Sequence, residues 1–340
     1  DWARPPFNGV TARRSRFDRW MAEQAVSAGA HLFTSTTVTG LLRNDTRILG
    51  VQTDHVDGEI YAKMTIAADG VNSFMAREAG LYPKFSSDHL TLGYKEVIHL
   101  GAGTIEERLG LEPGEGADLE VLGCVAPAIG GGFCYTNEET LAIGVIVSLP
   151  SLASTGLGAP ELLAQLKELP YFRNLVRGGS TIEVGAHLIP EGGWRTRPRL
   201  SAPGLVVAGD AASLCLASGL WLEGVNMAIG SGKVAGETIG RHLQEVDEPL
   251  PPGRYDAALQ SSVVGCNLRR LQRTPGFVLD PKVQHDLPRI ATSFAHRLFT
   301  VDDRSAKPSL GALARQSANE GGLRLRTLGK LAFDAWRAFR

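Results

Sequence analysis

The sequence predicts a mixed α/β fold in which one domain is assembled from two separated stretches, with an antiparallel β region between them and helices after them. Three observations carry this. A short apolar strand ends in an acid–glycine pair at Ala67-Ala68-Asp69-Gly70, and another ends in a glycine–acid pair at Val207-Ala208-Gly209-Asp210, each with a helix-like segment beyond. Between them, residues 90–150 read mostly as strands. Beyond Pro251 the pattern is helical.

In chain order, residues 14–28 predict a helix, because Phe17, Met21, Ala25 and Ala28 recur on one face and Gly29 is a stop. Residues 31–39, 48–53 and 59–68 read as a β-meander, with turns at Arg43-Asn44-Asp45 and Asp57-Gly58. Residues 72–79 begin a short helix that Asn72 or Ser73 would cap. Strands follow at 92–100, 119–127, 132–136 and 141–149, then a helix at 160–169 with proline in its first turn, and a strand at 181–189. Residues 205–208 are wholly apolar, as in a strand covered on both faces, and 222–242 is a long helix. The expected domain limits are 1–85 and 191–250 for the split domain, 86–190 for the β region and 251–340 for the helices.

Composition excludes several classes. Lys plus Arg is 35 against 36 for Asp plus Glu, which argues against nucleic acid as a partner. Glycine is 40 of 340 residues but lies in short clusters without a repeat, which points to backbone positions needing positive φ or close ligand approach. Cys124, Cys134, Cys215 and Cys266 show no CxxC spacing and the histidines no HExxH, so no metal site is expected and the thiols read as reduced. No apolar run is long enough to span a bilayer. The chain opens at Asp1 without a leader pattern, and its natural start is expected to lie upstream.

The chemistry concentrates at the two strand ends. An acid at the carboxyl end of a parallel strand points into the crevice where open α/β sheets bind ligands, and a carboxylate there needs donors such as sugar or ribityl hydroxyls. After Asp210, Gly219, Gly224, Gly230, Gly232 and Gly236 punctuate a helix, each costing up to roughly 1 kcal/mol against alanine, so their number argues for close approach. The helix start near residues 222–225 presents free amides and a positive dipole end. Arg14 at another helix start is unfavourable for the dipole unless it meets an anion.

Arg14-x-x-Phe17-Asp18, Asp69-Gly70-x-Asn72-Ser73 and Gly209-Asp210-Ala211-Ala212, taken together, resemble the FAD-binding flavoproteins that include aromatic hydroxylases, geranylgeranyl reductases and electron-transfer-flavoprotein:quinone oxidoreductases. Gly93-Tyr94-Lys95-Glu96-Val97-Ile98 and residues 130–138, GGGFCYTNE, are similar to the FixC-type branch, as is the 266–299 region. The resemblance implies a Rossmann-like FAD domain of the hydroxylase type, an antiparallel β substrate domain and a C-terminal helical region. It implies FAD as cofactor. Arg14, Asp69 and Gly70 would lie near the pyrophosphate, Gly209 and Asp210 at the ribityl chain, and Gly219 and the backbone of Gly224, Val225 and Asn226 at the flavin. Gly131, Gly132, Phe133, Tyr135 and Trp221 would line the quinone or substrate pocket. No catalytic side chain is singled out.

Departures qualify the likeness. Ser213 and Leu216 stand where hydroxylases carry His and Pro, and Glu223 stands where the branch carries arginine. The family's opening strand with its GxGxxG turn has no counterpart, so the domain is expected to be incomplete at its N-terminus. The implied activity is electron transfer from electron-transfer flavoprotein subunits to a quinone or a ferredoxin-like acceptor on a separate polypeptide. The alternatives are a prenyl reductase, and a partner-binding subunit with a decayed flavin site. A cytoplasmic place, peripheral on the inner face of the membrane, is expected. The basic, aromatic segment 323–340 either docks on the protein's own core or lies on an anionic membrane surface.

Overall fold

The computed structural model describes residues 9–82, 86–218, 222–301, 306–323 and 325–340. Helix α1 (Arg14–Ser27) comes first and buries none of its residues, although Phe17 stacks on Trp20. The meander follows as β1 (Val38–Arg43), β2 (Ile48–Thr53) and β3 (Glu59–Tyr61), antiparallel in that order. The strand expected at 31–39 is displaced to β1, because Ser35 takes a left-handed φ of 52° that interrupts an extended run. The single run expected at 59–68 divides: β3 stays with β2, whereas β4 (Thr65–Ala67) leaves the meander for another sheet.

That second sheet decides the architecture. β4 pairs in parallel with β11 (Leu205–Val207), which also pairs antiparallel with β10 (Ser201–Ala202). Two stretches some 140 positions apart in sequence thus share one sheet, as a parallel pair requires a long crossover. Helix α2 (Phe74–Glu78) follows β4. After β11 come the two-residue strands β12 (Leu216–Ala217) and β13 (Leu222–Glu223), and then α7 (Val225–Val246). The pairing of β13 with β12 moves the long helix's start from the expected 222 to Val225.

The chain between these stretches forms a five-stranded antiparallel sheet in the order β6-β7-β8-β5-β9. Its strands are β5 (Leu90–His99), β6 (Asp118–Leu122), β7 (Gly130–Asn137), β8 (Thr140–Ser148) and β9 (Ser180–Pro190). β6 stops short of the expected 127 because Gly123 turns at φ +76°. Helices α3 (Ala102–Leu109), α4 (Leu149–Thr155) and α6 (Pro170–Val176) lie where no helix was expected, and α5 (Ala159–Glu168) matches the expected one. The last part is helical: α8 (Arg254–Ser261), α9 (Val263–Arg270), α10 (Thr274–Val278), α11 (Leu287–Phe299), α12 (Leu310–Glu320) and α13 (Leu325–Phe339).

Two apolar cores hold these layers. One packs Leu205, Val206 and Val207 of β11 with Ala235 and Ile239 of α7 and Leu259 of α8. The other packs Ile143, Val145 and Val147 of β8 against Leu162, Leu163 and Leu166 of α5. Each fully buried leucine contributes about 1.5–3 kcal/mol.

One polar contact ties the two halves of the split domain. Ser73 is fully buried, and its hydroxyl donates to the Ala211 carbonyl at 2.6 Å. Ser73→Ala is expected to lower the unfolding free energy by about 1–2 kcal/mol, because the buried carbonyl loses its donor. Urea denaturation checks this, and an unchanged midpoint would contradict it.

Candidate functional site

The register of the parallel pair places the site. Thr65, Ile66 and Ala67 face Leu205, Val206 and Val207, so both strands end at the same level. The Asp69-Gly70 turn and the Gly209-Asp210 turn therefore lie side by side at the carboxyl edge, where open α/β sheets bind ligands. Gly70 has φ +75° and Gly209 φ +63°. A Cβ on Gly70 meets nothing within 4 Å, so conformation alone calls for glycine there. At Gly209 a Cβ would stand 3.3 Å from Ala228 Cβ, so this glycine also serves close approach of strand and helix. The Gly209 amide donates to Ser231 Oγ at 2.9 Å, and that hydroxyl donates to the Ala228 carbonyl. Ser231 lies between Gly230 and Gly232 inside α7. A Cβ on Gly230 would meet Val264 Cγ2 at 2.6 Å, whereas one on Gly232 or Gly236 would meet nothing within 4 Å, so the close approach expected of these glycines holds at Gly230 and not at the other two.

Asp69 has a definite local role. Its Oδ2 accepts from the Met75 amide at 2.9 Å and caps α2. This corrects the expected cap: Ser73 takes φ 51°, makes no cap bond and turns its hydroxyl to Ala211.

Asp210 is the acid aimed into the crevice, and its side chain is 26% exposed. Burial raises its pKa above the usual carboxylate value, and His187 and Arg14 oppose that rise. His187 Nε2 lies 3.8 Å from Asp210 Oδ2, beyond hydrogen-bond length. A Cβ on Gly224 would lie 3.9 Å from Asp210 Oδ1, so the start of α7 borders the same crevice. Gly224, the residue before α7, offers no side chain to the first-turn amides. Val225 and Asn226 follow it, and Asn226 Nδ2 donates to Glu223 Oε2 at 2.7 Å. Gly219 and Trp221 lie outside the described residues.

Arg14 opens α1 and forks onto Asp18 at 2.8 and 3.0 Å. That bond chiefly raises its pKa, and the charges of Asp210 and Tyr135 add to it. Arg14, Asp210 and Tyr135 are thus brought into one field from three separate elements.

The five-stranded sheet supplies the opposite wall. Directly paired residues of antiparallel strands share a face. Glu120, Phe133, Gly144, Lys95 and Gly185 form one row across it, and Asp118, Tyr135, Ala142, Val97 and Glu183 the next. Gly131, Gly93 and His187 continue the same face. The Phe133 ring lies over Gly144, whose Cβ would come within 2.4 Å of it, and stacks with Tyr135 at 5.8 Å. Glu183 receives Arg13 at 3.3 Å and Lys95 at 3.8 Å. Burial pushes Glu120 up to about 7, helped by Asp118, and also raises Tyr135.

Gly132 does not belong to this wall. It lies on the other face, where a Cβ would meet Leu166 Cδ2 at 2.7 Å and Cys124 Sγ at 2.9 Å. The strand period of two separates it from Gly131 and Phe133, and packing against α5 explains it. Glu96 likewise turns away from Lys95 and pairs with Lys167 at 2.8 Å.

Sequence reasoning missed Glu191. It lies just past β9, is 5% exposed, and accepts from Thr91 Oγ1 at 2.7 Å. Burial pushes its carboxyl up to about 7. The Cys215 thiol feels both Glu191 and Asp210, so the acid stands behind the crevice. Its signal was present: Pro190-Glu191-Gly192-Gly193 repeats the strand-end acid–glycine pair of Asp69-Gly70.

Comparisons with known proteins find relatives of the chain. The family described as "FAD binding domain" matches residues 10–98, and the "ETF-QO/FixC family C-terminal domain" matches residues 275–340. Protein FixC of Salmonella typhi is 35% identical over 315 residues, 92% of this chain and 73% of the relative. The probable electron transfer flavoprotein-quinone oxidoreductase YdiS of Escherichia coli K12 is 32% identical over 306 residues, 89% and 71% of the two chains. Among solved structures, a geranylgeranyl bacteriochlorophyll reductase-like protein from Thermoplasma acidophilum superposes with a TM-score of 0.64 at 19% identity, over 95% of this chain and 78% of that one. At that identity the likeness concerns the fold.

Glu191 gives a pH dependence with a definite sign. Its folded pKa of about 7 exceeds the ordinary 4.5 of the unfolded chain. Its contribution to stability is therefore complete below about pH 4.5 and is lost as pH rises to about 7, by on the order of 3 kcal/mol. Glu191→Gln is expected to remove that decline. Urea denaturation of both proteins across this pH range measures it, and parallel stability curves would contradict the assignment.

Proposed function

The chain belongs to the FixC/electron-transfer-flavoprotein:quinone oxidoreductase family of FAD-binding oxidoreductases, and from that premise we propose that it passes electrons from an electron-transfer flavoprotein to a quinone. The observation that carries this reading is the crevice between two strand-end turns and an aromatic, glycine-floored sheet face. It suits a flat cofactor with a flat second reactant beside it.

The residues present fit FAD. Asp210 is a half-buried carboxylate whose raised pKa marks a need for hydrogen-bond donors, which ribityl hydroxyls would supply. The amides of Gly224, Val225 and Asn226 at the start of α7 would hold the flavin's electronegative edge. Arg14, with Asp69 and Gly70, would serve the pyrophosphate end. Bound FAD supplies the electron-carrying chemistry; the protein binds, orients and tunes it.

The sheet face would receive the quinone. Phe133 and Tyr135 offer stacked rings, with Phe133 seated over Gly144, and Gly93 and Gly131 keep the surface beside them low. Reducing a quinone to a quinol takes two protons with two electrons. Glu120, whose carboxyl is raised to about 7, would exchange a proton close to neutral pH. Glu223, engaged by Asn226, brings negative charge to the start of α7 and would disfavour an anionic reduced flavin or an acidic partner there.

For partners, this reading takes electron-transfer flavoprotein subunits as the donor and assigns any iron–sulfur centre to a separate ferredoxin-like chain. It places the chain at the inner face of the membrane as a peripheral protein, since a quinone acceptor dissolves in lipid. Among the described residues no helix is long and apolar enough to cross a membrane.

The test is anaerobic. Full-length FAD-loaded protein is mixed with reduced electron-transfer flavoprotein, and a soluble quinone is then added. Loss of the yellow flavin band followed by its return is expected. An unchanged band would contradict the reading, and loss of double bonds from an added isoprenoid would favour a prenyl reductase.

A further inference from the structure

The C-terminal helices build a second pocket, and its lining is unusual in charge. The end of α9 and the turn into α10 contribute Arg270, Gln272 and Arg273; α13 contributes Phe333, Trp336, Arg337 and, just beyond it, Arg340. Together they enclose about 390 Å³ at the surface. None of the lining residues is acidic. Two acids, Asp280 and Asp334, line an adjoining cavity of about 210 Å³ that shares Arg273 and Arg337. Among the described residues none of the four arginines forms an ion pair.

The pocket rests on a fixed support. Leu331 and Ala338 bury the inner side of α13, and Thr274 Oγ1 donates to the Ala338 carbonyl at 3.2 Å. Phe277 meets Phe339 edge-on at 6.0 Å. With that side docked, Phe333 and Trp336 remain 55% and 54% exposed. Their rings stack at 5.8 Å, with Arg337 over Phe333 at 5.8 Å and Arg340 over Trp336 at 4.8 Å. Exposed aromatic rings beside a cationic rim are the arrangement of helices that lie in a bilayer interface. Guanidinium groups match the geometry of phosphate oxygens and hold them by paired hydrogen bonds.

We infer that this pocket binds the phosphate of an anionic lipid headgroup, with Phe333 and Trp336 seated at the level of the acyl chains. The inference rests on the membrane-facing reading above and supplies the contact which that reading lacked. It also orients the protein, since the C-terminal helices then face the bilayer.

The test is co-sedimentation of the full chain with vesicles of phosphatidylcholine alone and of phosphatidylcholine with about 30% phosphatidylglycerol. Binding to the anionic vesicles is expected, with little to the neutral ones. Arg337→Gln combined with Arg340→Gln is expected to weaken that binding about tenfold or more. Arg270→Gln, on a different helix, should weaken it in the same direction and covers the case in which the double variant fails to fold. Equal binding by wild type and both variants would overturn the inference, as would no binding at all. A rise in melting temperature with inorganic phosphate but no sedimentation would assign the pocket to a soluble phosphate compound and overturn the lipid assignment. None of these readings uses flavin or a soluble quinone, so the inference can fail while electron transfer stands.

Discussion

Everything at the site depends on the parallel pairing of β4 with β11. Without it, Asp69-Gly70 and Gly209-Asp210 are two ordinary strand ends far apart in sequence. With it, they form one carboxyl edge. The pairing involves few residues, so packing and polar contacts must hold it. The apolar side chains of β11 are wholly buried against α7, Ser73 bonds across to Ala211, and Ser231 takes the Gly209 amide. The contacts made by buried Ser73 and Ser231 thus set the spacing of turns that carry the acids. Removing either leaves a buried backbone group without its partner, the more costly direction of hydrogen-bond loss.

A second constraint is strand parity. The five-stranded sheet uses one face for its own core and the other for the crevice. Neighbouring residues therefore have unrelated roles. Lys95 meets Glu183 on the crevice side while Glu96 meets Lys167 on the helix side. Gly131 and Gly132 divide in the same way. A short string of residues in such a strand is half binding surface and half packing.

The sequence made local features legible and left relational ones hidden. Both strand-end turns could be read, because each sets an acid beside a glycine of positive φ at the end of a short strand. Which turn lies beside which is set by β4–β11 register, a contact across some 140 positions that no local pattern encodes. The displaced first strand turned on one left-handed serine, and serine carries no obligate signal for that conformation. The side of Gly132 required the register of β7 against β8. Glu191 was different: its Glu-Gly-Gly strand end was visible, but its burial and its Thr91 partner come from the packing of β5 beside β9. The C-terminal pocket joins α9 to α13, and only the α13 half showed as a pattern of basic and aromatic residues.

The most direct measurement is the affinity of the protein for FAD, by fluorescence titration, for wild type and Asp210→Ala, with urea unfolding of each as a control. Asp210 is the one carboxylate that faces the crevice from the carboxyl end of β11 while Arg14, His187 and the start of α7 surround it. If it holds the cofactor by hydrogen bonds to a charged group, its loss weakens FAD by about tenfold or more while the unfolding curve stays in place. Equal affinity in the two proteins would contradict the assignment of this crevice as the flavin site.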